Sequence, residues 1–486
     1  MTISKPSHGS TGWDTATNQV IDSINDLPTY NVKDYGALGD GSTNDTTAIQ
    51  NASDAASGSG GIVLFPAGTY ITHALTYYGL VRYVGAGRGS TTLKLAASQN
   101  ADLLTSYQFS SLTGTTTNSG AHHVGFQDLT IDGNKANQSS GSGVGIKHYG
   151  AMITMDRVVI RNCRGDGFYS EWNPATDVIT DGCESVIHAV TSHDNGTGTG
   201  SSAGSGFNYR GSHDSMFSDC IAFGNAYTGF WIRTSASASQ CHSWSNSTAQ
   251  AYAWRLEGTT HLINCQGEGA STAQLALLTS DCDIVGGTYY AGSVNGGKGV
   301  IIGDATHTGI AGTRVQTKVL DCPAGALDVT YSSGLGMIDV VVYQTSGSGL
   351  IGTPPTTEPW RLAIAGGASG GNYTHAIGEF TASNNSGTDL LDVFGTAISV
   401  PNGPTVDFYS GNYTSQTAQI NAATGAIRAG TTAGPGGSFF SGSGAPTSLN
   451  GTAGDFYFRT GTPSTANQRI YVCTATGTPG TWSGIA

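Results

Sequence analysis

Gly143-Val144-Gly145-Ile146, Gly165-Asp166-Gly167-Phe168, Gly204-Ser205-Gly206-Phe207 and Tyr227-Thr228-Gly229-Phe230 share one frame: a small or turn residue, any residue, glycine, then a large apolar side chain. Looser copies follow at 251–254 (AYAW), 272–275 (TAQL), 297–300 (GKGV), 324–327 (AGAL) and 347–350 (GSGL). The start-to-start spacings are 22, 39, 23, 24, 21, 25, 27 and 23 residues. A period this regular, in the range of about 20–50 residues, marks a repeat architecture. Each unit also holds alternating apolar stretches, among them Val124–Ile131, Ile153–Ile160, Val186–Ser192, Ser215–Ala222 and Met337–Val342. Asn162, Asn195, Asn225 and Asn246 end such stretches. Alternation broken by Asn or Gly predicts short strands joined by tight turns. A β-sandwich would turn back every ~8–12 residues and needs no repeated frame. The pattern therefore predicts an all-β parallel solenoid, or β-helix, with about one coil per unit.

Composition agrees. Of 486 residues, 11% are charged and 72 are glycine, against about 25% charged in an ordinary domain. Such a chain is a poor helix former, yet 38% hydrophobic content is enough for a core. Twenty Lys+Arg against 33 Asp+Glu give a net charge of −13, which argues against a nucleic-acid partner. No apolar run approaches the ~18 residues of a membrane span. Met1–His8 lacks the basic-then-apolar order of a signal peptide, so neither membrane insertion nor secretion is expected. The eight cysteines form no CxxC pair, which excludes zinc ribbons and thioredoxin-type sites. Cys163, Cys183, Cys220, Cys241, Cys265 and Cys282 are expected as small buried hydrophobes in strand-like stretches.

Ahead of the repeat the texture changes. Asp45 is placed to cap a helix over about 46–57. Gly61–Tyr70 then reads as strand, turn, strand. A helix here would cover the open end of the solenoid core. YNVKDYGALGDGSTNDTTAIQ (30–50) followed by GGIVLFPAGTYIT (60–72) resembles the opening of the pectate-lyase-like right-handed parallel β-helix proteins. That group includes phage tailspikes, polygalacturonases and alginate epimerase modules. The resemblance spans about residues 30–350 and implies the fold without choosing a reaction.

Both ends have their own character. Trp13, Thr17, Val20, Ile24 and Leu27 keep heptad spacing over two heptads, as a short helical bundle at a symmetry axis requires. SHGSTGWDTATNQVIDSIND (7–26) is similar to N-terminal attachment segments of phage tail proteins. GTAGDFYFRTGTPSTANQRIYVCTATGTPGTWSGIA (451–486) resembles the C-terminal repeats of tail fibres from phages of actinobacteria, modules that are usually trimeric. The expected organisation is an N-terminal attachment and oligomerisation helix (1–29), the β-helix (30–352), a β-rich module (360–430), a glycine-rich linker (431–445) and a small fibre module (446–486). GTPPTTEPW (352–360) marks the boundary after the β-helix.

In a solenoid strand, residues alternate inward and outward. With the apolar residue of each frame inward, the residues one and three places later point out. One outward column then stacks Lys147, Tyr169, Asn208, Trp231 and Arg255. The other stacks Tyr149, Glu171, Arg210, Arg233 and Glu257. Four of the chain's 20 Lys+Arg fall on this face. Aromatic rings beside arginine forks suit sugars bearing carboxylate or phosphate; a plain salt-bridge ladder, Glu171–Arg210 and Arg233–Glu257, would account for the same residues. Insertions at Trp172–Asp181 and Thr197–Ala203 flank the face.

Alginate epimerases carry Asp-Pro-His-Glu directly after the Gly-Phe of this coil. Here Gly167-Phe168 is followed by Tyr169-Ser170-Glu171-Trp172, which puts chemistry by that motif in doubt. The paired Asp, Gly-His and Arg-Ile-Lys signatures of polygalacturonases are absent too. Glu171 is the candidate catalytic carboxylate, with Asp166 or Asp214 as partner for hydrolysis. Glu257, three coils away at ~14 Å, is too distant to pair. For β-elimination, Tyr169 or Lys147 would serve as base and Arg210 would neutralise a uronate. Lys147, Tyr149, Trp172, Asn208, Arg210, Trp231, Arg233, Arg255 and Glu257 are the candidate substrate-binding residues. His188, His193 and His213 are expected as turn or core polar residues. No Ca²⁺-type nonapeptide ladder appears, so neither metal nor cofactor is expected.

The resulting expectation is a homotrimeric phage tail protein, carried on the virion through other tail or baseplate proteins at its N-terminus. It binds and degrades a host surface glycan. A non-enzymatic tail adhesin and a free secreted bacterial polysaccharide lyase are the alternatives.

Overall fold

The glycine of the repeated frame is where each coil presses on itself. In the computed structural model, a Cβ added at Gly167 would lie 2.2 Å from Ser192 Oγ, and one at Gly229 would lie 1.9 Å from Ser243 Oγ. One coil later the contact relaxes, and Ala253 takes the position with its methyl group buried. The structure describes residues 28–365 apart from 108, 110–119, 178–181, 198–203, 246–249, 293–295, 334–335, 344–349 and 353–359, then the strands from Val406 to Gly442, and 443–461 and 469–484.

A representative coil has three walls. Ser215–Ser218 forms the first, Ile221–Phe223 the second and Thr228–Ile232, which carries the frame, the third. Parallel pairing repeats this upward, with Ser215 opposite Ala236, Ile221 opposite His242 and Thr228 opposite Tyr252. Each stretch that reads as one strand in the sequence is in most coils two strands around a corner. Val124–Ile131 splits into Gly125–Gln127 and Thr130–Asp132, and Ile153–Ile160 into Thr154–Asp156 and Val159–Arg161. The corner residue takes a left-handed conformation: Asp128 (φ 55°), Arg157 (54°), Ala189 (52°), Asp219 (55°), Gln240 (55°) and Asn264 (52°). In–out alternation resumes beyond it, so the hydrophobic pattern does not register the bend. Met337–Tyr343 stays continuous.

Residues just after such corners point inward. Cys220, Cys241 and Cys265 follow Asp219, Gln240 and Asn264 and are about 1% exposed or less. The thiols are thus buried as expected, at corners rather than within strands. Cys183 is the exception: it is half-buried, with Sγ 3.4 Å from His213 Nδ1. The apolar frame residues Ile146, Phe168, Phe207, Phe230, Trp254, Leu275, Val300 and Leu327 form one continuous inward ladder, all fully buried. Phe207, Phe230 and Trp254 stack nearly parallel, with centroids 4.7 and 4.1 Å apart. Asn195 and Asn225 form an inward amide ladder, Asn195 Nδ2 donating to Asn225 Oδ1 at 3.0 Å.

Helix α1 (Thr46–Ser57) lies where the sequence places it and buries Ile49, Ala52, Ser53 and Ala56 over the end of the core. Asp45 occupies the cap position, but its carboxylate accepts from Leu38 N (2.7 Å) and Gly39 N (3.1 Å) and not from the helix. Trp360–Ala365 pairs in parallel with Met337–Tyr343. The parallel ladder therefore includes a strand beyond the proline-rich segment, whose residues 353–359 lie outside the described ones. The chain divides into two compact units, 1–389 and 390–486. The second contains a seven-stranded, mostly antiparallel sheet. Ser438–Gly442, inside the stretch read as a linker, is one of its strands and pairs with Phe456–Arg459. The heptad segment 13–27 lies outside the described residues.

His148 sits inward on a frame strand, fully buried, with Nδ1 2.9 Å from Tyr77 Oη. Burial lowers its pKa from 6.5 to about 3. The stabilisation is therefore complete above the unfolded value of 6.5 and declines as pH falls toward 3. We expect this group to contribute a slope of about 1.4 kcal/mol per pH unit across that window. His148→Gln should flatten that part of the profile in urea melts at stepped pH; an unchanged slope would refute the assignment.

Candidate functional site

On each frame strand the apolar residue faces in, and the next and third-next residues face out. Backbone pairing stacks Lys147, Tyr169, Asn208, Trp231 and Arg255 in one outward column. Tyr149, Glu171 and Arg210 stack in the other. Arg233 N donating to Tyr209 O, and Glu257 N donating to Ile232 O, continue it past the strand ends.

The chemistry concentrates on three residues. The Tyr169 hydroxyl donates to Glu171 Oε2 at 2.7 Å and accepts from Arg210 Nη1 at 3.2 Å. Glu171 and Arg210 are thus bridged by a phenol. Arg210 is exposed, while Tyr169 and Glu171 are half-buried. Burial, and the carboxylate to which it donates, raise the Tyr169 pKa above its ordinary 10.0. The phenol is therefore protonated at neutral pH.

Beyond this group, Glu257 accepts from Arg233 Nε at 3.1 Å and from Arg255 Nε and Nη2 at 2.7 Å each. The Arg233–Glu257 half of the expected ladder is present. Burial and the neighbouring Arg210 charge lower the Arg233 pKa. Three guanidiniums, Arg210, Arg233 and Arg255, face two carboxylates, a local excess of cation on a chain of net charge −13. Lys147 is separately neutralised by Asp102 at 3.0 Å and lies 4.8 Å from the Phe109 ring centroid.

Several expected ligand contacts are corrected. Tyr149 points outward but is only 1% exposed, packed under Phe109 and Trp172. Trp172 is itself buried, with Nε1 donating to Asp177 at 3.2 Å. Trp231 is 5% exposed; Arg233 covers its ring at 4.2 Å and Tyr227 meets it edge-on at 5.4 Å. These aromatic rings are not open sugar platforms, because side chains from the adjoining turns fold over the sheet. Asn208 is buried and donates to Asp166 Oδ2 at 2.9 Å.

Asp166 is not a partner for Glu171. It also accepts from Ser205 N at 2.6 Å, so both of its oxygens are committed to residues of the next coil. Burial raises its pKa. Asp214 is turned to Ser235 Oγ (2.7 Å) and His213 (2.9 Å). His188 and His193 end strands and pair with Asp156 and Asp194, at 2.7 Å each, so they are surface rather than core groups.

Sequence reasoning missed Asp102, Phe109, His122 and Tyr227. Tyr227 occupies the first position of its own frame and was open to discovery. The others come from distant turns and carry no periodic signal. His122 Nδ1 accepts from Ala151 N at 3.1 Å, which leaves its proton on Nε2 facing the fully buried Asp177 at 3.2 Å. This pair secures Trp172 and the start of the following insertion. Among the described residues, no group of three His, Cys, Asp or Glu is placed to hold a metal ion.

The protein is a parallel β-helix that exposes a mixed Tyr/Glu/Arg face. Residues 29–254 match the family model described as rhamnogalacturonase A/epimerase, pectate lyase-like. Mannuronan C5-epimerase AlgE2 of Azotobacter vinelandii is 35% identical over 222 residues, covering 42% of this chain and 20% of that protein. Alginate lyase 7 of the same organism is 32% identical over 223 residues, covering 43% and 24%. The chain thus spans about a fifth to a quarter of the length of these two relatives. The A-module of A. vinelandii mannuronan C-5 epimerase AlgE4 shares the fold, with a TM-score of 0.55 and 23% identity over 69% of this chain and 96% of that one.

Glu257 holds two arginines together. Glu257→Gln should lower stability by about 1–3 kcal/mol, with part of the loss recovered in high salt as the guanidiniums are screened. Urea melts at two ionic strengths test this; an unchanged midpoint would mean that solvent already compensates the arginines.

Proposed function

We propose that this face binds an acidic, uronate-bearing polysaccharide and cleaves it by β-elimination. The observation that carries the reading is the hydrogen-bonded series Glu171–Tyr169–Arg210. Arg210, exposed at the edge of the group, pairs with the uronate carboxylate and so acidifies the carbon-bound proton beside it. Glu171 removes that proton. The electron pair forms the new C=C bond and expels the glycosidic oxygen, which takes the Tyr169 phenol proton. Glu171 then returns its proton to the phenolate across the 2.7 Å contact, restoring both groups. The raised Tyr169 pKa suits an acid that must hold its proton until the bond breaks.

The names of two relatives, a mannuronan epimerase and an alginate lyase, support an acidic sugar polymer as substrate. Paired-carboxylate hydrolysis fits less well. It needs carboxyl groups about 5–9.5 Å apart, whereas both oxygens of Asp166 are bonded to the next coil and Glu257 is three coils away at ~14 Å. A place on a phage tail, as a homotrimer that recognises a host glycan, rests on the resemblances of segments 7–26 and 451–486.

Incubation with uronate polysaccharides should release reducing ends together with ultraviolet absorbance from the unsaturated product. Glu171→Gln and Tyr169→Phe should each lower kcat by about 10²–10⁴-fold while glycan binding survives. Arg210→Ala should also raise KM. Reducing ends without absorbance would establish hydrolysis instead, and binding without any product would establish an adhesin. For the trimer, light scattering should give three times the 49.7 kDa chain mass; a stable monomer would refute it.

A further inference from the structure

The left-handed corner between the first two walls recurs from coil to coil, so stacked corners run parallel to the solenoid axis. Near the N-terminal end the angle is filled. Arg157 forks onto Asp128 with contacts of 2.7 and 2.8 Å, and His188 reaches Asp156 at 2.7 Å. Further along, the corner positions become Gln240, Asn264 and the Gly286-Gly287 pair, none of them charged. A groove of about 700 Å³ opens there. The glycines keep its floor low: a Cβ on Gly286 would lie 2.2 Å from Asn264 Oδ1, and one on Gly287 1.9 Å from Cys265 O.

The walls are amide-rich. Gln240, Asn264 and Gln266 are exposed on the groove, Gln316 and Asp339 are half-exposed, and Lys318 is exposed. Only Lys318 and Asp339 among the lining residues carry charge, and they cancel. From Gln240 to Asp339 the groove crosses five coils, or four spacings of ~4.8 Å, about 19 Å in all. Amides on three of these five coils donate and accept together, as a polyhydroxylated ligand requires.

We propose that this groove is a second, non-catalytic glycan site. It takes a linear, uncharged polysaccharide segment lying along the solenoid axis, with hydroxyl groups bonded to Gln266, Asn264 and Lys318. It lies on different walls from the Tyr169–Glu171–Arg210 face and does not depend on the reaction proposed for that face.

The test uses the full chain on a printed array of neutral glucans, mannans and galactans, with retained hits confirmed by affinity electrophoresis. We expect retention by at least one neutral linear glycan. Gln266→Ala with Lys318→Ala should weaken it by about tenfold, the loss expected from two or so hydrogen bonds, and Arg210→Ala should leave it intact. Both groove positions are exposed, so the fold should tolerate the changes; circular dichroism verifies this. Gln316→Trp, which obstructs the groove from a half-exposed strand position without removing a charge, gives an independent variant and should weaken retention at least as much. The proposal is overturned if no neutral glycan is retained, or if retention survives the groove variants and disappears with Arg210→Ala. It is also overturned if the groove variants change the mass seen by light scattering, which would make a second copy of the chain the occupant.

Discussion

Each coil must return to its starting place one strand spacing higher, and nearly everything else in the first unit depends on that closure. Two local devices achieve it. A left-handed residue turns the chain between the first two walls, and a glycine or alanine in the repeated frame lets the third wall press on the second. Ser192 and Ser243 fill the space that a larger frame residue would need. Once closure is fixed, the interior follows: corner thiols, an amide ladder and the Phe207–Phe230–Trp254 stack occupy the same position in successive coils.

The same closure organises the exterior. Side chains two residues apart on one strand, and those directly above them, become fixed neighbours. Tyr169 reaches Glu171 along its own strand and Arg210 across to the next. Glu257 gathers one arginine from its own strand end and one from the coil before. A reactive group here is assembled from residues far apart in sequence yet held by backbone pairing rather than by mobile loops. The scaffold therefore favours linear polymers, whose repeating units can lie along a repeating surface.

Legibility in the sequence followed from this geometry. The Gly-x-Gly-apolar frame gave the solenoid, the inward ladder and the register of both outward columns, because period and alternation survive in a string of letters. The corners were harder: Asp128, Arg157, Ala189 and Gln240 share a backbone angle and no side-chain chemistry. Covering side chains left no trace at all. Tyr149 and Trp231 point outward as alternation demands, yet Phe109 and Tyr227 close over them, and only three-dimensional neighbours reveal it. Asp166 illustrates a third limit. Its carboxylate is drawn to Ser205 and Asn208 of the next coil, contacts that no spacing along the chain reveals. The prolines at 352–360 were read as a boundary because proline usually ends a strand; here the ladder resumes at Trp360.

The amide and aromatic ladders also bear on how the molecule yields under load. Backbone hydrogen bonds between coils run along the axis, so tension applied between the two ends pulls directly on one inter-coil layer at a time. Each layer is held mainly by parallel strand pairing to its neighbours. Such an object peels in steps from an end and does not shatter. The end under α1 is sealed by Ile49, Ala52 and Ala56, so peeling there must first lift a helix off its apolar seat. Torn coils can re-form on the intact stack below, which serves as their template.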